Sequence, residues 1–447
     1  MKKTVVSLLF TGIFMAVCLL PLAGLLLAGP SAPVANEIPA AKPALVDRDG
    51  ALNGDYLADA AAYLGERFCL RPECITAWAR LNAALFRTSV TQDVVLGSDG
   101  WLYYAPTLDD YARSAPMSGR ELWCAARTLY LLQEHARSLG GDFLFTAAPN
   151  KNSLYAANMP AFPVDNRLSN AQVLARRLEE MGVTYLDLFA VFEEQAEVLY
   201  FPTDSHWNGR GAALAADAIL AALGRESGYF AAGFLPAEHR GDLYEMLYPA
   251  GREADPDFVP AAGFTFTGGG KNPDAITITT ECASSSGSLV MYRDSFGRNL
   301  YPYLAESFGS AVFSRKNDYG SVALSPGDVL VVELVERNLR YLNEYAPALP
   351  APVRENTSAF EAAAAGSMAL TAEAEGEYLS LRGRFADVVP DEDSPVYALC
   401  AGILYEAVPQ PDGFRLCLPE GTDPEGIRVI FTAGGNRIAL EGVIEYR

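Results

Sequence analysis

A serine at one point of the chain and a histidine preceded by an acid at another are the residues whose types and surroundings suit catalysis. Ser295 lies in Met291, Tyr292, Arg293, Asp294, Ser295, Phe296, Gly297, after the short apolar run Ser288–Tyr292 and before helix-compatible sequence over 296–308. A strand-to-helix corner of this kind presents a hydroxyl at the carboxyl edge of a sheet. The first backbone N–H groups of the helix face the same space, where they would stabilise an oxyanion. The plain alternative is that Ser295 only caps the helix, the usual work of serine at such a position. A G-x-S-x-G elbow is absent.

The second element is Phe201, Pro202, Thr203, Asp204, Ser205, His206, Trp207, Asn208, Gly209. The chain has three histidines, His135, His206 and His239, and His206 stands two residues after Asp204. A carboxylate beside an imidazole selects its tautomer and stabilises the imidazolium, as a general base activating a serine requires. Two other readings stand beside this one: Asp204 capping a turn with His206 packed locally, or the pair as metal ligands. No third His or Cys-rich partner accompanies them, so no metal and no cofactor is expected. His135, in an amphipathic helical stretch, and His239, in a charged loop, read as surface residues.

These residues need a scaffold, and the hydrophobic pattern describes one. Helical stretches at 119–139, Asn170–Met181 and 209–223 alternate with apolar strand-like runs at 143–147, 183–188, Ser288–Tyr292 and 329–334. Such alternation implies a three-layer α/β/α fold around a parallel sheet, with ligands at the carboxyl ends of the strands. Before it, 56–86 reads mainly as helix, and 94–104 as a hairpin turning at Ser98, Asp99, Gly100. Residues 225–287 show no clear period and read as an insertion. From 355 to 447, β-like runs separated by Pro, Gly and Asp turns predict a small β-sandwich, separable from the α/β part.

Lys2 and Lys3 precede a nearly uncharged run over 4–28, long enough to span a bilayer. The expectation is a retained anchor over 1–28 and a linker over 29–54, with everything beyond outside the cytoplasm by the positive-inside rule. A cleaved signal peptide is the alternative, with small residues at 32–35 for cleavage. Outside the run, six cysteines permit three disulfides, and Cys69 with Cys74 and Cys400 with Cys417 are the sequence-near candidates. Thirty-four Lys plus Arg against 55 Asp plus Glu leave a formal charge of −21, which excludes phosphate backbones as partners and so nucleic acid.

Asp204, Ser205, His206, Trp207 followed by Arg293, Asp294, Ser295 resembles the SGNH-hydrolase-like alginate O-acetyltransferase family and the related DHHW proteins, in which Asp and His precede the serine. The runs at 95–104, 149–151 and 335–338 resemble that family's blocks in its order, so the resemblance covers about residues 55–340. It implies an SGNH-type domain over 55–350, with Ser295 as nucleophile, His206 as base and Asp204 as its orienter. Asn150 is a candidate oxyanion donor and Lys151 a candidate for an anionic substrate group. Trp207 is a candidate sugar platform and Arg293 a further substrate-binding candidate. The implied activity is transfer of an acetyl group through a serine acyl-enzyme onto a cell-surface or secreted polysaccharide. A polytopic membrane acyltransferase would be the acetyl source. A carbohydrate esterase of the same type and a non-catalytic glycan-binding scaffold are the two rivals.

Overall fold

The computed structural model describes residues 2–31, 40–46, 49–355, 360, 365–386 and 388–446. The proposed cleavage stretch at 32–35 lies outside them. At the centre is a seven-stranded sheet in the order Tyr185–Leu186, Phe143–Ala148, Val329–Val335, Ser288–Tyr292, Ser310–Ser314, Thr277–Glu281, Thr267–Gly268. The first five strands are parallel, as the alternation predicts, and the last two run antiparallel. The sheet is therefore mixed. Its antiparallel edge comes from the patternless insertion, whose short alternating run Thr277–Glu281 pairs with Ser310–Ser314.

Strands such as Phe143–Ala148 and Val329–Val335 are buried along their whole length, because helices cover both faces. One face packs Gly209–Ala222 and Gly297–Ser307 through Ala212, Ala216, Ile219, Leu300 and Leu304. The other packs Gly119–Ser138 and Asn170–Met181 through Ala125, Leu129, Leu132, Leu174 and Leu178. Both latter helices begin with a capping box, at Ser118 with Glu121 and at Ser169 with Gln172. The stretch 56–86 forms two helices, Tyr56–Arg67 and Arg71–Phe86, with Pro72 in the first turn of the second. The hairpin is present, with Val94 opposite Tyr104, and Asp99 and Gly100 take the left-handed conformations its turn requires.

Among the described residues the C-terminal part is one curled nine-stranded sheet, a correction to the expected sandwich of two. Successive hairpins continue one ladder, and the parallel pairing of Ser367–Glu375 with Asn436–Tyr446 joins its halves. It is also fastened to the α/β part. Glu406, almost fully buried, accepts two hydrogen bonds of 2.7 Å from Arg127 and one of 2.8 Å from Arg354. Val408 sits in the same apolar cluster as Leu131 and Leu132. A chain ending at Glu355 should therefore unfold at a lower temperature and with less cooperativity than the whole, since it bares that apolar face and leaves Arg127 unpaired. Calorimetry showing an unchanged, cooperative transition would restore a separable domain.

All seven cysteines are free thiols, which corrects the expected pairings; Cys400 and Cys417 lie buried as small apolar groups. The run at 4–28 lies in a helix, Lys2–Ala28, with Pro21 inside it and Val5, Leu8, Leu9, Phe10, Ile13 and Phe14 exposed. Among the described residues no helix is long and apolar enough to cross a membrane.

Candidate active site

The corner that carries Ser295 is built by Asp294. One oxygen of its carboxylate accepts from the Phe296 N–H at 2.9 Å, closing a local turn. The other accepts from the Val335 N–H at 2.7 Å and the Asn338 amide at 2.8 Å. The strand Ser288–Tyr292 is thereby tied to the end of its neighbour Val329–Val335 just where the chain turns into the helix Gly297–Ser307. Ser295 makes no capping bond to that helix. Its Oγ instead lies 2.8 Å from His206 Nε2, across 89 residues of sequence.

The loop that carries His206 is pinched at its base, where Tyr200 bridges Trp207 and the Asn208 N–H bonds to the Leu199 carbonyl at 2.8 Å. Asn208 then caps the helix Gly209–Ala222 through the Gly211 N–H. At the tip, Asp204 Oδ1 lies 2.7 Å from His206 Nδ1 and also accepts the His206 N–H at 2.9 Å. The Ser295 hydroxyl, the imidazole and the carboxylate thus stand in line. With Nδ1 protonated toward Asp204, Nε2 is left with the lone pair that a base needs to take the serine proton.

Burial alone would raise the Asp204 carboxyl. The charge and hydrogen bond of His206, joined by those of His239, outweigh it and hold Asp204 well below the usual carboxylate range. It is an anion throughout the neutral range. Asp242 moves the other way, raised by burial and by the charge of Asp204. Its carboxylate accepts from the Ser205 N–H at 2.8 Å and the Ser205 hydroxyl at 2.7 Å.

Ligand atoms of Asp204, His206 and Asp242 lie within 4.8 Å of one another. Within this group His206 bonds Asp204 through Nδ1 and Ser295 through Nε2, while the Asp242 carboxylate accepts from Ser205, an arrangement that suits a proton relay.

Three of the substrate-binding candidates have other work. Lys151 is buried, and its ammonium donates to the carbonyls of Phe201 at 3.0 Å, Pro202 at 2.9 Å and Asp204. It holds the histidine loop from beneath and presents no charge to a substrate. Burial pushes its pKa down to about 7, against the pull of Asp204, Asp242 and Asp255. Trp207 is fully buried, stacked on Phe192 and edge-on to Phe296, with its indole N–H on the Phe296 carbonyl at 3.1 Å. It clamps the loop to the serine corner, and no ring face is free for a sugar. Arg293 is buried too, its guanidinium on the carbonyls of Pro273 and Asp294. In each case the long side chain turned inward because polar partners waited there.

Asn150 stands at the carboxyl end of Phe143–Ala148, fully buried, with its bonds running to Glu336, Asp110 and Arg337. Glu336 accepts the Asn150 N–H at 3.1 Å and the Ser153 hydroxyl at 2.6 Å through one oxygen. Burial pushes its pKa up to about 7. The folded form therefore binds a proton that the unfolded chain releases between about pH 4.5 and 7, so this group weakens the fold as pH rises through that window. Glu336→Gln keeps one acceptor oxygen for both donors and should flatten the slope, adding on the order of 2–3 kcal/mol at pH 8. Urea midpoints at pH 5 and pH 8 measure it; parallel slopes in both proteins would refute it.

Sequence reading missed several positioning residues. His239 Nε2 lies 2.7 Å from Asp204 Oδ2, and the Asp242 N–H reaches the same oxygen at 2.9 Å. Both come from the patternless insertion, where the signal available was the scarcity of histidine itself. His239 is not a free surface residue.

Residues 94–261 match the family model described as SGNH hydrolase-like domain, acetyltransferase AlgX. Over that stretch the α/β part is similar to an SGNH hydrolase-like domain. The matched stretch holds the loop with Asp204 and His206 and the first part of the insertion, with His239, while Ser295 lies beyond it. Two curated relatives are both described as "Probable alginate O-acetylase AlgJ". The Pseudomonas syringae pv. tomato protein is 24% identical over 44% of this chain and 51% of its own length. The Pseudomonas putida protein is 26% identical over 44% and 52%. The chain thus spans about half the length of these relatives. Among solved structures, Bacillus cereus PatB1 is similar at 18% identity, covering 56% of this chain and 98% of that one with a TM-score of 0.44.

Proposed function

We propose that this SGNH hydrolase-like domain is an O-acetyltransferase that moves acetyl groups onto hydroxyls of a polysaccharide through an acyl-enzyme on Ser295. The observation that carries the reading is the line Ser295 Oγ to His206 Nε2 at 2.8 Å and His206 Nδ1 to Asp204 at 2.7 Å. The similarity to alginate O-acetylases supports a polysaccharide acceptor. In the first half-reaction His206 takes the serine proton as Oγ bonds to the acetyl carbonyl carbon. It returns that proton to the departing donor oxygen as the donor C–O bond breaks. In the second, a sugar hydroxyl gives its proton to His206 and attacks the acetyl carbon. Ser295 leaves with the proton, and a sugar acetate is formed.

The exposed apolar helix Lys2–Ala28, led by Lys2 and Lys3, supports a place at a membrane with the domain on the outer side. Acetyl-CoA is not expected there, so a polytopic acyltransferase is the acetyl source in this reading. Intact mass of protein from the membrane fraction should include residues 4–28.

The deciding experiment gives the purified protein a chromogenic acetyl ester with and without an oligosaccharide acceptor. Acetylated sugar that requires Ser295 supports the reading. Free acetate alone, whatever the acceptor, would make the protein an esterase, and neither product would leave a scaffold.

A further inference from the structure

The Asp204 carboxylate is shared by two imidazoles. Its inner oxygen Oδ1 takes His206 Nδ1 at 2.7 Å and the His206 N–H at 2.9 Å; its outer oxygen Oδ2 takes His239 Nε2 at 2.7 Å and the Asp242 N–H at 2.9 Å. Four donors, two on each oxygen, leave the carboxylate no freedom to rotate. The His239 ring is itself fixed, lying against Phe201 at 4.1 Å between centroids and 23° between planes. Phe201 belongs to the loop whose carbonyls Lys151 holds. His239 ends the strand Phe234–His239, opposite Asp255 on the strand Asp255–Pro260, so the insertion presents this imidazole from a rigid two-stranded sheet. Because a carboxylate only accepts, His239 must carry its proton on Nε2.

We propose that His239 is a positioning residue of the relay, which locks the outer oxygen of Asp204 so that the inner one stays on His206, and whose charge bears on the proton that His206 exchanges. This rests on the serine mechanism above for its kinetic readout, though not for its spectroscopic one. The groups facing His239 are Asp204 from the loop, Asp255 and Asp257 from the paired strand, Asp242 just beyond its own strand and Arg298 from the helix after Ser295. Burial disfavours its charged form, yet the hydrogen bond and charge of Asp204 raise it overall above its ordinary value. A positive His239 beside the shared carboxylate opposes protonation of His206, and a neutral one still draws electron density from Asp204. Replacing His239 removes that opposing charge and frees the outer oxygen of Asp204, so the relay should respond to pH differently in the variants.

The test uses the full chain with His239→Ala and His239→Gln. The Gln amide N–H₂ can stand in for the Nε2–H but carries no charge. On a small acetyl ester, His239→Ala should lower kcat on the order of tenfold with KM within about twofold, by analogy with residues that orient a catalytic ligand. His239→Gln should recover most of that loss. The acid limb of kcat/KM should move to higher pH in both, by about half a unit or more in Ala and less in Gln.

Independently of turnover, ring signals of the three histidines in labelled protein should show His206 titrating at higher pH in both variants. Loss of kcat in both variants with the limb and the His206 titration unmoved would reduce His239 to packing on Phe201. Unchanged kcat with an unmoved titration would overturn the proposal outright. If the unaltered protein hydrolyses no ester, the serine mechanism fails, and the His206 titration still decides the role of His239.

Discussion

Ser295→Ala and His206→Ala should each lower kcat on the small ester by a similar large factor, on the order of 10⁴ or more, and the double variant should be little worse than either. The reason is geometric. With 2.8 Å between Oγ and Nε2, the hydroxyl and the imidazole act in one proton transfer, and removing either removes the same step. Asp204→Asn should cost on the order of 10³–10⁴, because an amide in its place offers an N–H where His206 Nδ1 needs an acceptor. Here the cost includes a second disturbance, since the same carboxylate accepts from His239 and the Asp242 N–H. Tm measured alongside separates lost chemistry from lost fold. If the two single losses multiply in the double variant, Ser295 and His206 do not share a step, and the relay has been misread.

Lys151→Met should destabilise the protein by ~3–5 kcal/mol and loosen the catalytic loop with it. Methionine approximates the volume of lysine but leaves the carbonyls of Phe201, Pro202 and Asp204 without their shared donor, in a place that water does not reach. Those carbonyls belong to the segment that ends in the Asp204–His206 pair, so kcat should fall together with the urea midpoint. Lys151→Arg should not rescue it, because the planar guanidinium does not match three carbonyls converging on a point charge. An unchanged midpoint with a raised KM confined to anionic acceptors would instead return Lys151 to substrate binding.

The strand Ser288–Tyr292, the corner at 293–296 and the helix after it were legible in the sequence. So was the alternation that makes five strands parallel. Each depends on neighbours within about ten residues: an apolar run, an Asp that closes a turn, a helical period. The pairing of Asp204 with His206 is local in the same sense, since the carboxylate bonds the backbone N–H and the ring of a residue two positions on. What the local pattern could not carry was the direction of long polar side chains. Lys151, Trp207 and Arg293 are residue types suited to a binding surface, yet each points inward to a distant carbonyl oxygen, that of Phe201, Phe296 and Pro273 respectively, 50, 89 and 20 residues away.

Residue type and short spacing therefore determined the chemistry on offer: a hydroxyl on a strand-to-helix corner, and a base with its acid on one turn. Tertiary structure alone decided that they meet, through Asp294 tying two strand ends together, Trp207 clamping the loop to the corner and Lys151 supporting it from beneath. It alone brought His239 and Asp242, 35 and 38 residues beyond Asp204, onto the same carboxylate. The physical reason is that a buried carboxylate must have all its lone pairs satisfied, and the donors that do so are chosen by which segments pack around it, a matter on which spacing along the chain is silent.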